Sequence, residues 1–374
     1  MVDISAAASD FSASAKSALT IDSSTDDANA LNIGIIGCGR IGQCHARSIC
    51  TRIPNAKLVC VSDVFESAAL KLAKTYQVPM ACTDPLDLIN SPAVHAIIVC
   101  SPTDTHADII KAAAAAGKHI FCEKPVDKNL HIIADLNNTL AQHPVKFFLG
   151  FQRRFDSHFR RAKAAVQSGA IGKPIKLHLT SRDPAPPPVG YLKQSGGLFL
   201  DMSSHDFDMA RFLTGSNVAS ISAVGMADNP EIAAIDDLDH TLVTATFENG
   251  CIVTIDNSRA SSLGYDQRAE FFGTAGSVNV GNVHPNTCHF TDKDGYHSEN
   301  PLNFFMERYA EAYVEEMKAF VDVVLNDTPV PCGIEDGRLT VLYAAMANLS
   351  IKEKRAVHIG EFEKSTDGEL SARY

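Results

Sequence analysis

The sequence predicts an α/β protein of two domains: the first is built on a parallel sheet covered by helices on both faces, the second is α+β on an open, mostly antiparallel sheet. Three observations predict it. From Leu31 to Gly150, short and almost continuously apolar runs alternate with helix-like segments, the pattern of strands buried on both faces. Beyond Gly150, strand-like runs follow one another with few helices between them. A chain of 374 residues also has room for two such domains and their cores.

Residues 1–29 are rich in Ser and Ala, carry five Asp with Lys16 as their one base, and show no sustained apolar periodicity. They read as a disordered N-terminal extension. The segment lacks the basic start and apolar core of a secretory signal, and the Arg-rich, acid-poor character of a mitochondrial presequence. The first domain, 30–151, opens on Leu31 to Gly42, LNIGIIGCGRIG, where an Ile-rich run ends in Gly37, Gly39 and Gly42 ahead of a helix-like segment. This is the strand, tight turn and helix start of a Rossmann dinucleotide fold. The first glycine lets the chain turn, the second lets backbone approach a pyrophosphate, and the third lets helix pack on strand. Arg40 and Ile41 lie in the same cofactor-facing turn. Such a turn can also be purely structural, so the residues that follow decide.

About 20 residues past the glycines the pattern asks for an acid at the end of the second strand, to accept the adenosine ribose hydroxyls. KLVCVS ends at Asp63. A carboxylate there repels a 2′-phosphate, and the next base is Lys71, which favours NAD over NADP. Asp63 is equally placed to cap the helix Glu66 to Tyr76, and the two roles are compatible. Further strands are expected at 79–82, 95–100, 119–122 and 146–150, with helices at Ala107 to Ala116 and Leu130 to His143. Ligands of such sheets lie beyond the carboxyl ends of the strands. That places Ser101, Thr103 and His106, after HAIIVC, and Glu123 and Lys124, after HIFC, at the cofactor.

The second domain, 152–374, begins with a linking helix at Phe155 to Ser168 and a strand at Pro174 to Arg182. A Pro-rich loop and the pair Gly196-Gly197 lead into a long helix ending near Leu213. HTLVTATFE and CIVTIDNSR flank an Asn249-Gly250 turn, a hairpin signal. A strand at Ala269 to Phe272 follows, and amphipathic segments at Phe304 to Leu325 and Glu335 to Ile351 close the chain as helices, with the C-terminal helix expected back on the first domain.

The net charge of −11 and scattered bases argue against nucleic acid as a partner, and no apolar run is long enough for a membrane helix. The ten cysteines contain no C-x-x-C pair. Unpaired thiols at the ends of apolar runs, as at Cys60, Cys100 and Cys122, indicate a reducing compartment, so a cytoplasmic location is expected. An open sheet needs cover, which predicts a homodimer or homotetramer.

On the helix after Gly197, Asp201, His205 and Asp208 stand at i, i+4 and i+7, on one face. His205 has the intrinsic pKa of a general base near neutrality, and Asp201, one turn earlier, is placed to bond its second ring nitrogen. Two other readings stay open: a helix-capping Asp beside a core histidine, and a metal site. The metal reading lacks a second His or Cys at ligand spacing, so no metal is expected.

GIIGCGRIGQCHA, the triplet Glu123-Lys124-Pro125, GFQRRFD at Gly150 to Asp156, and GGLFLDMSSHDFDMARFL together resemble the glucose–fructose oxidoreductase, inositol dehydrogenase and rhizopine-catabolism (Gfo/Idh/MocA) family of NAD(P)-dependent oxidoreductases, over about residues 31 to 360. The resemblance implies catalytic roles for Lys124, Asp201 and His205. It also implies substrate contacts from these three with Arg153, Asp208 and Tyr265. In SRDP, Ser181 stands where some inositol dehydrogenases have a substrate-contacting histidine. The function implied is NAD-dependent oxidation of a secondary hydroxyl of a cyclic polyol or sugar, with myo-inositol the leading substrate. The alternatives are another sugar or dihydrodiol dehydrogenase of the family, or a non-catalytic NAD-binding sensor. Oxidising such an alcohol needs a hydride acceptor, a base for the hydroxyl proton, and a cation to stabilise developing alkoxide. Nicotinamide, His205 and Lys124 fit these roles, and the Lys124 charge should lower the pKa of His205.

Overall fold

The computed structural model describes residues 30–363, so the 1–29 extension lies outside the described residues. Strands β1 (Leu31–Ile36), β2 (Ala56–Ser62), β3 (Met80–Cys82), β4 (Ala96–Val99), β5 (His119–Glu123) and β6 (Phe147–Gly150) form a parallel sheet in the order β3-β2-β1-β4-β5-β6. All residues of β4 and β6 are buried, as continuously apolar sequence demands of strands covered on both faces. The covering helices are α1 (Arg40–Arg52), α2 (Glu66–Tyr76), α3 (Pro85–Ile89), α4 (His106–Ala115) and α5 (Leu130–Ala141). The strand order reverses between β1 and β4, and this opens the crevice in which such sheets bind ligands.

Beyond β6 come a 3₁₀ turn at Gln152–Phe155 and helices α6 (Ser157–Gln167), α7 (Val189–Ser195), α8 (Ser204–Thr214) and α9 (Pro230–Ala233). The second sheet is built from β7 (Pro174–Arg182), β8 (Val218–Met226), β9 (His240–Phe247), β10 (Ile252–Ser258), β11 (Asp266–Gly273) and β12 (Ser277–Val280). A separate hairpin follows, β13 (His289–Asp292) with β14 (Gly295–Ser298), and β15 (Val357–His358) joins the edge of the larger sheet. Its order is β12-β11-β7-β10-β9-β8-β15, antiparallel except for the parallel pair β7 and β10 at its middle. One face packs on α8 and on α12 (Ile334–Glu353), whereas the other leaves Val224, Met226, Leu242, Ile252 and Phe272 exposed.

The expected helix at Phe304 to Leu325 is two, α10 (Phe305–Arg308) and α11 (Ala310–Leu325), because Tyr309 leaves helical geometry at φ −111° and ψ 18°. A last turn, α13 (Gly360–Glu363), closes the described chain. Helix α11 returns to the first sheet, where Met317, Phe320 and Val321 share a core with β1, Phe121 and Phe148. Each such side chain contributes about 1.5–3 kcal/mol on burial. The exposed Arg52–Glu311 pair on the same interface, at 2.9 Å, is screened by solvent and adds little. Apolar burial therefore holds the late helix on the early domain.

Candidate active site

The glycine turn is shaped to hold a dinucleotide. Gly37 lies at φ +96°, and a Cβ there would stand 2.5 Å from the Cys100 carbonyl carbon. A Cβ on Gly42 would lie 2.0 Å from the Gly37 oxygen, whereas one on Gly39 would meet nothing within 4 Å, which leaves open space above the turn. Helices α3, α5 and α6 start on side-chain caps from Asp84, Asn129 and Asp156. Helix α1 has Gly39 in that position and no side-chain cap, so its first N–H groups and positive dipole end remain for an anion. Asp63 accepts from the Cys38 N–H at 2.7 Å and the Phe65 N–H at 2.9 Å, which fixes its carboxylate at the end of β2. Arg40 stacks over Phe304 at 5.3 Å.

At the neighbouring strand ends, Ser101 Oγ meets Thr105 Oγ1 at 2.6 Å at the 3₁₀ turn Thr103–Thr105. His106 departs from the expected cofactor contact. It is buried, with one ring nitrogen 2.9 Å from the Ser101 carbonyl and the other 2.9 Å from the Pro125 carbonyl. Its ring ties the two cofactor-facing strand ends together instead of facing the ligand. The Lys124–Pro125 peptide bond is cis.

Across the cleft the structure brings Lys124, Asp201 and His205 together. Lys124 Nζ donates to the Asp201 carbonyl at 3.1 Å. The His205 pKa lies well below its ordinary value, first through burial and then through the Lys124 and Arg153 charges, so the imidazole is neutral and free to take a proton. The expected Asp201–His205 bond is not made. Residues Phe199–Ser203 form a π turn, and this wider turn rotates the Asp201 carboxylate off the face that carries His205. Asp201 instead accepts from the Tyr191 hydroxyl at 2.8 Å and from Arg259 Nη1 at 3.0 Å, while His205 Nδ1 is buried without a partner.

The predicted substrate contacts divide. Asp208 is fully buried, and both its oxygens accept from Arg154, at 2.5 and 2.8 Å, so it holds α8 to the 3₁₀ turn and does not reach the cleft. Arg153 donates to Asp206 at 2.8 Å and to Ser181 Oγ and the Tyr265 hydroxyl at 3.3 Å each. Tyr265 is buried against Tyr309 with centroids 6.0 Å apart. Ser181 also donates to Gln267 Oε1 at 2.9 Å. Arg153, Ser181 and Tyr265 thus form one packed network behind His205. Sequence reasoning missed Tyr191, Arg259 and Asp183. Asp183 lies in the Pro-rich loop Asp183 to Gly190 and Tyr191 just past it, in a segment with no motif of its own, and Arg259 ends a strand read only as half of a hairpin. Asp183 is pushed up to about 6 by burial, against the pull of the Arg153 charge and with that of Asp201 raising it further.

Residues 31–151 match the family described as "Oxidoreductase family, NAD-binding Rossmann fold" (GFO_IDH_MocA), and residues 159–279 match the "GFO/IDH/MocA C-terminal domain". The chain belongs to the GFO/IDH/MocA oxidoreductases. It is 42% identical over 332 residues to the myo-inositol 2-dehydrogenase of Thermotoga maritima, covering 88% of this chain and 99% of that one. It is 37% identical over 330 residues to the inositol 2-dehydrogenase of Rhizobium meliloti, covering 88% and 99%. Among solved structures, the scyllo-inositol dehydrogenase of Lactobacillus casei with bound NAD(H) and scyllo-inositol superposes with a TM-score of 0.83 at 31% identity, covering 88% of this chain and 99% of that chain. The first domain of this GFO/IDH/MocA oxidoreductase is thus an NAD-binding Rossmann domain.

A second buried cluster of this oxidoreductase lies under its Lys124 motif. His45 Nε2 is 2.7 Å from Glu123 Oε1, and a Glu316 oxygen lies within 4.8 Å of both ligand atoms. Both oxygens of Glu316 are buried without a hydrogen bond. Burial, then the charges of Glu123 and Asp208, push the Glu316 carboxyl well above its ordinary range.

Proposed function

We propose that this protein oxidises a secondary hydroxyl of a cyclic polyol with NAD, and that myo-inositol, giving its 2-keto form, is the substrate. The observation that carries this reading is the meeting of Lys124, a neutral His205 and the Asp201 turn at the carboxyl end of the first sheet. The inositol 2-dehydrogenase names of its relatives support the substrate class. Bound NAD supplies the hydride acceptor. Gly37, Gly39, Gly42 and the start of α1 would hold its pyrophosphate and Asp63 its adenosine ribose, with the exposed Val64 and Phe65 beside Asp63.

His205 takes the hydroxyl proton as the C–H bond gives up its hydride, and its depressed pKa keeps it ready to do so at neutral pH. Lys124 donates to the alcohol oxygen as negative charge builds there. Arg153 holds the ring network behind the imidazole in place. Base catalysis of this kind contributes about 10²- to 10⁴-fold. His205→Ala should therefore lower kcat by about that factor with myo-inositol while leaving NAD affinity, read by isothermal titration calorimetry, nearly unchanged. Near-normal turnover in that variant would remove His205 as the base.

We also infer that a second copy of the chain covers the open sheet face, where Val224, Met226, Leu242, Ile252 and Phe272 form an apolar patch, giving a homodimer or homotetramer. Sedimentation at micromolar concentration should show the assembly, and a stable monomer would overturn it. The ten free thiols suit a cytoplasmic location.

A further inference from the structure

Asp201 is held in a unit that proton transfer to His205 does not require. Tyr191, on α7, has its ring half exposed at 51%, and its hydroxyl donates to Asp201 Oδ1 at 2.8 Å. Arg259, 1% exposed, binds the other oxygen at 3.0 Å and reaches Asp237 Oδ2 at 3.4 Å. Asp237 in turn accepts from the Leu198 N–H at 2.9 Å, just before the π turn. Lys128, from the first domain, donates to the Gln194 carbonyl at 2.9 Å and fixes the far end of α7. The phenol and the carboxylate are thereby set side by side on a rigid support that reaches both walls of the cleft.

A phenol has one proton and two lone pairs. Here the proton is committed to Asp201, so toward the exposed side the Tyr191 oxygen is an acceptor, made stronger by donating to a carboxylate. Asp201 Oδ1 keeps further lone-pair capacity beside it. Two adjacent acceptors, 2.8 Å apart, match two hydroxyl donors on neighbouring carbons. We propose that Tyr191 is a specificity-determining residue that, with Asp201 Oδ1, accepts hydrogen bonds from two vicinal hydroxyls of the substrate, and that Arg259 is the positioning residue that turns the Asp201 carboxylate toward the phenol. This rests on the polyol reading above.

The test is a cycle between Tyr191→Phe and a set of monodeoxy-inositols, measured as kcat and KM at saturating NAD. Tyr191→Phe should raise KM for myo-inositol about tenfold, with kcat the smaller part of the change. For one monodeoxy analogue the parent and the variant should have the same kcat/KM, because the hydroxyl that Tyr191 reads is already missing. Arg259→Lys keeps the charge and loses the fork; in that background Tyr191→Phe should add no further rise in KM. An unmoved KM in Tyr191→Phe overturns the proposal, and so does an equal loss on all the deoxy analogues, which is what a structural role alone would give. Failure of the parent protein, with NAD bound, to oxidise any polyol would remove the polyol reading and this pair with it. Polyol turnover with an unmoved KM would remove the pair alone.

Discussion

The two domains bury charge in opposite ways, the first at its seam with α11 of the second. In the second, carboxylates sit against arginines: Asp206 on Arg153 at 2.8 Å, Asp208 on Arg154 at 2.5 Å and Asp201 on Arg259 at 3.0 Å. Under the cofactor end of the first, His45, Glu123 and Glu316 converge, and Glu316 has no hydrogen-bond partner. Burial raises the Asp206 and Asp208 carboxyls, and the arginine charges and hydrogen bonds pull them back down, whereas Glu316 has no such donors and the Glu123 and Asp208 charges push it further up. The second domain therefore uses buried acids to lock elements together. The seam between the first domain and α11 instead holds, beside the Lys124 motif, an acid whose pKa burial raises.

The largest test of that contrast is Arg154→Met. Arg154 also bonds Asp336 at 2.8 Å and the Pro331 carbonyl at 2.8 Å, so its loss leaves Asp208 buried and unpaired. Urea denaturation should show a loss of about 3–5 kcal/mol. Adding Asp208→Asn to that variant should return much of it. A loss no larger than that of a surface ion pair, under about 1 kcal/mol, would break the comparison.

Glu316→Gln comes next and should act in the other direction. Its raised pKa means that the folded protein keeps a proton that the unfolded chain releases. That stability is complete below the unfolded carboxyl's pKa and is lost as pH rises through the folded one. A glutamine has no such proton to lose. The variant should therefore gain on the parent as pH rises above about 4.3, by about 1.4 kcal/mol for each unit of the shift that is traversed. Parallel stability–pH curves for the two proteins would show that the Glu316 pKa is not raised by folding.

The smallest effect belongs where the two regions meet. Lys124 lowers the His205 pKa across the cleft, second to burial. In Lys124→Met the acid limb of the residual kcat/KM–pH profile should move up by about one unit. A limb that stayed in place would assign the depression to burial and Arg153 alone.

The parallel sheet, its glycine turn and the acid after β2 were legible because each rests on local sequence: apolar runs, backbone freedom at Gly37 and a fixed spacing to Asp63. Lys124 was legible for the same reason, standing between an apolar strand and a proline. The second domain was read less completely. Strand β8, at Val218–Met226, carries no turn signal as sharp as Asn249-Gly250, and α7, seven residues between a Pro-rich loop and Gly196-Gly197, is too short to show a helical period.

The sequence by itself determined that Lys124 and the helix start carrying Asp201 and His205 come to the cleft, because strand ends and helix starts are set by neighbours in the chain. Only the tertiary structure decided their partners. The i, i+4, i+7 spacing assumed a regular α-helix, and a π turn at Phe199–Ser203 broke it, handing Asp201 to Arg259, 58 residues away in sequence, while Asp208 went to Arg154, 54 residues away. A buried charge takes whichever donor the packed fold brings nearest, and periodicity along one helix carries no information about that donor.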